Sequence, residues 1–386
     1  AIALSRAAVA QEPFPRSTAR FVGSASCAAS ACHAAPRAGQ IDPTRRHGNE
    51  YTIWHQRDPH ARAQFSLTSE KGRKMLFALG IVAGSNGYEN CLRCHNLQPE
   101  PNLRLSSWQP RENVSCESCH GPAEKWIKLH ALDTWPNTLD DSKRDWLLEQ
   151  GFVPPNVMAR KCVECHVGAS DREVNHDLIA AGHPELKFEF SKGMTAFPKH
   201  WRIKSQTESQ KFKPQTQTQQ LKSGQQANAL AFLELVNSRL TRNSVSPEFS
   251  EFHCRSCHHS IGQFSSPTEF ANNGVPRWAD WQFANLADAK FGDDAKTALD
   301  DLRSIMENSD DETPREHIVK KVDALRERLR SPVDRQSDVK QSFNLRWTSP
   351  LESSLPANLT VSTKNGATLN QLFEIHARQP VATRVR

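Results

Sequence analysis

The sequence predicts a mainly α chain with extensive irregular stretches, organised around something other than its own side chains. Three observations point there. Only 37% of the 386 residues are hydrophobic, which is thin for a core of that size. The ten cysteines fall in five close pairs, each trailed by a histidine. Apolar residues recur at the helical period in the C-terminal part, whereas the two-residue period of strands is rare.

The pairs are Cys27 and Cys32, Cys91 and Cys94, Cys116 and Cys119, Cys162 and Cys165, and Cys254 and Cys257. The histidines that follow them are His33, His95, His120, His166 and His258. Chance would place a histidine after all five roughly once in ten million such chains. Four of the five read CLRCH, CESCH, CVECH and CRSCH, the Cys-x-x-Cys-His signature of covalent c-type haem. Two thiols add to the vinyl groups on one porphyrin edge, and the adjacent imidazole turns under the ring to bind iron. Zinc knuckles use two Cys-x-x-Cys pairs per metal and need no histidine next in line, and redox dithiols leave the histidines unexplained. The first motif, Cys27-Ala-Ala-Ser-Ala-Cys32-His33, has four intervening residues. A bulged turn still presents both thiols, so it reads as a fifth haem c, with a disulfide as the alternative.

Residues 1–20 carry AIALSRAAVA before Gln11-Glu12-Pro13, which reads as the remnant of a secretory signal and an N-terminal extension. Residues 21–202 hold four motifs and most of the histidines. Residues 203–226 are polar and Gln-rich without an apolar period, and read as a linker or loop. Residues 227–386 hold the fifth motif and a helical tail. In that last region Ala229, Phe232, Leu233, Val236 and Leu240 follow the helical period. So do Ala295, Ala298, Leu299, Leu302, Ile305 and Met306, and then Ile318, Val322, Leu325 and Leu329 after a Thr313-Pro314-Arg315-Glu316 capping box. Residues 295–330 therefore predict an antiparallel helical hairpin that packs or docks.

An iron that only passes electrons needs a sixth ligand, while an open position admits small-molecule chemistry. Eleven histidines lie outside the motifs (His47, His55, His60, His130, His176, His183, His200, His253, His259, His317 and His376), against four methionines. The surplus points to bis-histidine ligation. Cys116-Glu117-Ser118-Cys119-His120-Gly121-Pro122 with His130 ten residues past the haem histidine, and Trp54 followed by Asp58-Pro59-His60-Ala61-Arg62-Ala63, resemble segments of the tetrahaem cytochrome c-554 family. The resemblance covers about half the chain and implies a multihaem cytochrome c fold of stacked haems. It also implies His130 on the His33 haem, His60 on the His120 haem, and an open position at the His95 haem. The widened first motif and the fifth haem with its helical tail depart from that family.

His176 and His183 stand seven residues apart in Asn175–Pro184, about 10 Å along a helix, comparable to the spacing of neighbouring stacked haems. They are two further candidate distal ligands. His47 and His253 compete for the last position. His55, His200 and His259 read as propionate partners or packing residues, and His317 and His376 as ordinary helix residues of the tail.

The formal charge of +6 omits the cofactor. Five haems, each contributing about −1 when ferric and −2 when ferrous, would bring it to about +1 or about −4, so nothing calls for nucleic acid. Covalent haem is attached outside the cytoplasmic membrane, so the expectation is a periplasmic or otherwise extracytoplasmic protein, and no apolar run is long enough to span a bilayer. The function expected is relay of electrons between donor and acceptor proteins, with a helical tail able to dock to a membrane-associated respiratory complex. The rival is a haem oxidoreductase acting on nitrite, hydroxylamine, nitric oxide or a sulfur oxyanion at one open iron. The motifs all end in His rather than Lys, and Tyr51 and Tyr88 are the sole tyrosines, which weighs against that rival.

Overall fold

The computed structural model describes residues 17–35, 48–132, 134–135, 143–200, 217–242, 248–258, 270–271, 275–283, 292–308 and 313–330. His47, His259 and His376 lie outside them. The chain is mainly α, with short helices joined by irregular segments and, among the described residues, one antiparallel pair of two-residue strands, β1 (Phe270–Ala271) and β2 (Val275–Pro276). It divides into two units, 1–166 with 180–184 and 196–215, and 167–179 with 185–195 and 216–386.

Among the described residues the first unit holds seven helices: α1 (Glu50–Arg57), α2 (Phe65–Thr68), α3 (Glu70–Ala78), α4 (Asn86–His95), α5 (Cys116–His120), α6 (Arg144–Glu149) and α7 (Met158–His166). Most are one to three turns long, too short to stand alone in water. Ser69 and Ser85 cap α3 and α4 by accepting from Gly72 N and Tyr88 N, which satisfies first-turn amides. The described apolar clusters are small: Val22, Ala123, Trp126, Trp135, Leu147 and Phe152 in one, and Leu148, Val153 and Val157 in another. Buried carboxylates fasten the irregular chain in place of a larger core. Glu117 accepts from Val22 N, Gly23 N and Ala123 N at 2.7–3.0 Å, and Glu112 from Ser24 N at 2.8 Å. Together they fix the loop that carries the first motif beside the third.

Gly121, just after the third motif, sits at φ +79°. A Cβ there would collide with the Gly151 carbonyl oxygen, so this turn demands glycine for both backbone and space. Gly121→Ala is expected to cost at least about 1–3 kcal/mol, read as a lower unfolding midpoint of the holoprotein.

The second unit holds α8 (His176–Ala180) and α9 (Phe190–Ala196), whose last residues belong to the first unit, together with α10 (Gln217–Thr241), α11 (Asp280–Phe283), α12 (Asp293–Asn308) and α13 (Arg315–Arg330). Helix α13 packs against both α10 and α12. Its buried stripe is the periodic set Ile318, Val322, Leu325 and Leu329, facing Ala295, Leu299, Leu302 and Met306 of α12. Asp301 and Lys321 pair across the hairpin at 3.2 Å. The Gln-rich segment is corrected here: residues 217–226 are not loop but the first turns of α10. Small and amide side chains let them pack, with Gly224 against Phe190 and Gln226 donating to the Leu329 carbonyl. Further along α10, buried Arg239 bridges Glu173 and Glu251, and Glu251 also accepts from the Trp278 indole.

Candidate metal centres

Three of the Cys-x-x-Cys-His motifs lie on helices. Cys91 and Cys94 lead to His95 at the end of α4, and Cys162 and Cys165 lead to His166 at the end of α7. Cys116 and Cys119 lie with His120 on α5, which is the motif and nothing more. On a helix, positions i, i+3 and i+4 share a face, so both thiols and the imidazole point the same way. Cys94 and Cys165 are each half-buried, directly before the histidine they accompany. The fifth motif is a tight turn, with Cys257 N and His258 N both returning to Cys254 O. The first begins as a turn at Ser24–Cys27 and folds again, Cys32 N and His33 N bonding Ala29 O. That second turn absorbs its two extra residues. Cys27 and Cys32 are not joined as a disulfide. Among the described residues no three His, Cys, Asp or Glu converge as a metal cage.

What does converge is histidine, in pairs. Each motif histidine faces one histidine from elsewhere in the chain. His33 faces His130 at 6.0 Å between ring centroids, His95 faces His183 at 6.4 Å, and His120 faces His200 at 6.2 Å. His166 faces His60 at 5.9 Å, and His258 faces His176 at 6.2 Å. Within these five pairs no histidine is used twice. A metal–imidazole bond of about 2.0–2.1 Å and a ring radius of roughly 1.1 Å put two imidazoles across one metal about 6.3 Å apart. All five separations fit one metal between two rings.

Ring orientation agrees. In six of these histidines Nδ1 is engaged within the protein, which leaves Nε2 for a metal. His33 meets Glu50 (3.0 Å), His60 meets Asp58 (2.9 Å), and His95 meets Ala63 O and Ser66 Oγ (both 2.9 Å). His130 donates to Ile127 O, His183 to Pro184 O (2.8 Å) and His200 to Pro198 O (3.4 Å). Burial pushes His120 and His166 down to about 4 and lowers His183 and His200 as well. Burial thus favours the neutral ring, the form that binds metal. His33 runs the other way, raised by its hydrogen bond to Glu50.

The pair at His33 is the one the resemblance implies. Two others are not. His60 stands by His166 rather than His120, because Asp58 both caps the Pro59–Arg62 turn and grips the ring. His120 meets His200 instead, a residue expected to serve propionates or packing. Phe197 lies against both His60 and His200, at 5.8 and 5.6 Å, so these two rings are neighbours. His95, expected open by resemblance, has His183 opposite. His176 stands by His258 in the second unit and His183 by His95 in the first. At His258 the ring that stands opposite is His176, while the His253 amide bonds Arg277 O. His317 is exposed on α13. Glu50 and Asp58 were missed, since a lone acid near a histidine carries no signature in sequence.

Residues 42–121 match the family model described as Cytochrome c554 and c-prime. The match supports a c-type cytochrome with covalently bound haem and a role in electron transfer. Neither the curated proteins nor the solved structures give a match. Among the described residues no helix is long and apolar enough to cross a membrane.

Proposed function

We propose that the chain is an exported pentahaem c-type cytochrome that relays electrons between donor and acceptor proteins. The observation that carries this reading is the one-to-one facing of five motif histidines by five others at 5.9–6.4 Å. The first haem would be held by Cys27 and Cys32 with His33 and His130, and the second by Cys91 and Cys94 with His95 and His183. Cys116 and Cys119 with His120 and His200 would hold the third. Cys162 and Cys165 with His166 and His60 would hold the fourth, and Cys254 and Cys257 with His258 and His176 the fifth. Bound haem supplies one-electron chemistry at iron. The protein's part is to fill both axial positions, so that ligands need not rearrange when the charge changes, and to keep the first unit's sites close together. Cys27 and Cys116 lie thiol to thiol, and α5 packs on α7, so the first, third and fourth motifs adjoin.

The rival reading, chemistry on a small nitrogen or sulfur compound, needs an iron with a free face. His183 opposite His95 argues against it at the position where the resemblance implies one. Export follows from covalent attachment, which places the protein in the periplasm or another extracytoplasmic compartment.

Intact mass of the holoprotein is expected to exceed the polypeptide by five haem units. Reduced protein should not bind carbon monoxide, and turnover of nitrite or hydroxylamine should stay below about 1 s⁻¹, the low end for ordinary enzymes. A mass showing four haems would leave one cysteine pair unattached and end the pentahaem count. A native iron that binds carbon monoxide and turns over nitrite would end the carrier reading.

A further inference from the structure

The second partners of the paired histidines differ in kind. His95, His130, His183 and His200 direct Nδ1 at neutral oxygens, whether carbonyls or the Ser66 hydroxyl. His33 and His60 direct theirs at carboxylates, Glu50 and Asp58. Both acids are held in place by backbone as well. Glu50, the first residue of α1, accepts from Gly48 N at 2.9 Å through the same Oε2 that meets His33. Asp58 Oδ1 accepts from both the His60 amide and the His60 ring. Asp58 is 4% exposed, so water does little to screen it, and charges act strongly in such surroundings.

A carboxylate acceptor draws the Nδ1 proton toward itself and leaves the imidazole more electron-rich at Nε2. A carbonyl does this weakly. The electron-rich ligand favours the ferric over the ferrous state, because reduction adds negative charge beside an existing one. We infer that Glu50 and Asp58 are positioning residues that make the His33/His130 and His166/His60 haems lower in potential than the His95/His183 and His120/His200 haems. The inference rests on the ligation proposed above. Each iron still exchanges one electron, and the proton stays on Nδ1 in both states. The acids change the energy of the step and not its stoichiometry. The first unit would thus hold two low sites and two higher ones instead of four equal ones.

The test uses full-length holoprotein in native form and as Glu50→Gln, Asp58→Asn and the double variant. Glu70→Gln serves as control, because it removes an exposed charge that pairs with Lys74. Each amide keeps an acceptor oxygen and the side-chain volume. Haem content and spin state are measured first, then a mediated potentiometric titration is followed by absorbance. In each single variant one haem's share of the titration should move to higher potential by about tenfold in its reduction equilibrium, about 59 mV for one electron. The double variant should move two shares, and Glu70→Gln none. Fewer than five low-spin haems in the native protein overturns the ligation reading itself. Five low-spin haems with unmoved curves overturns this inference alone, as does an equal shift in Glu70→Gln. Should Asp58→Asn fail to hold its haem, Glu50→Gln decides. Loss of haem from both shows the acids to be structural and overturns it too.

Discussion

Replacing His200 with alanine is expected to leave one iron of the five without its sixth ligand, and replacing His60 to do the same to a different iron. Each single variant should show one high-spin haem in the oxidised protein and bind one equivalent of carbon monoxide when reduced. On the proposed ligation the effect is all-or-none at that iron, because a single imidazole would supply its distal face. Among the ring contacts of the described residues, His200 faces His120 and His60 faces His166. The pairing expected from resemblance would have His60 serve the His120 iron. The double variant separates the two arrangements. If His60 and His200 serve different irons, it shows two high-spin haems and binds two equivalents of carbon monoxide. If they competed for the His120 iron, it would show one. One would retire the pairing drawn from the ring geometry.

What sequence could say about these sites divides by distance along the chain. An attachment motif is local, with two cysteines and a histidine on one turn, and its meaning is fixed by chemistry that needs no fold. The distal histidine arrives from a remote segment, and its spacing records only how the intervening chain is routed. His130 and the two histidines of Asn175–Pro184 were legible because the motif neighbourhood or helical spacing marked them. His200 was not, because it follows Pro198 in a segment without periodicity, and only the fold brings it beside His120. The same contrast holds for helices. The stripes Ala229–Leu240, Ala295–Met306 and Ile318–Leu329 are visible because apolar burial imposes a period. The start of α10 is invisible because Gly224 and Gln225 are buried by close packing and polar contact, which leave no apolar pattern.

The ring planes separate the five pairs into two kinds, and paramagnetic resonance of the oxidised holoprotein should resolve them. His33/His130 and His258/His176 are near parallel, at 11° and 16°. His120/His200, His166/His60 and His95/His183 are near perpendicular, at 83°, 85° and 88°. Two parallel imidazoles direct their π orbitals at the same iron d orbital, raise it above its partner and give a well-spread rhombic low-spin signal. Two perpendicular rings raise both orbitals alike, which leaves them nearly equal in energy and gives one extreme, highly anisotropic signal. Axial ligands are one of the protein's levers on haem iron, and the angle between the rings is held by Nδ1 bonds to named partners on both rings of the His33/His130 and His95/His183 pairs. Two fifths of the low-spin iron should therefore be rhombic and three fifths highly anisotropic. His130→Ala and His176→Ala should each remove a rhombic component, and His183→Ala, His200→Ala and His60→Ala each an anisotropic one. Five signals of a single kind, or loss of the wrong kind in either group of variants, would show that the rings adopt other angles once iron lies between them.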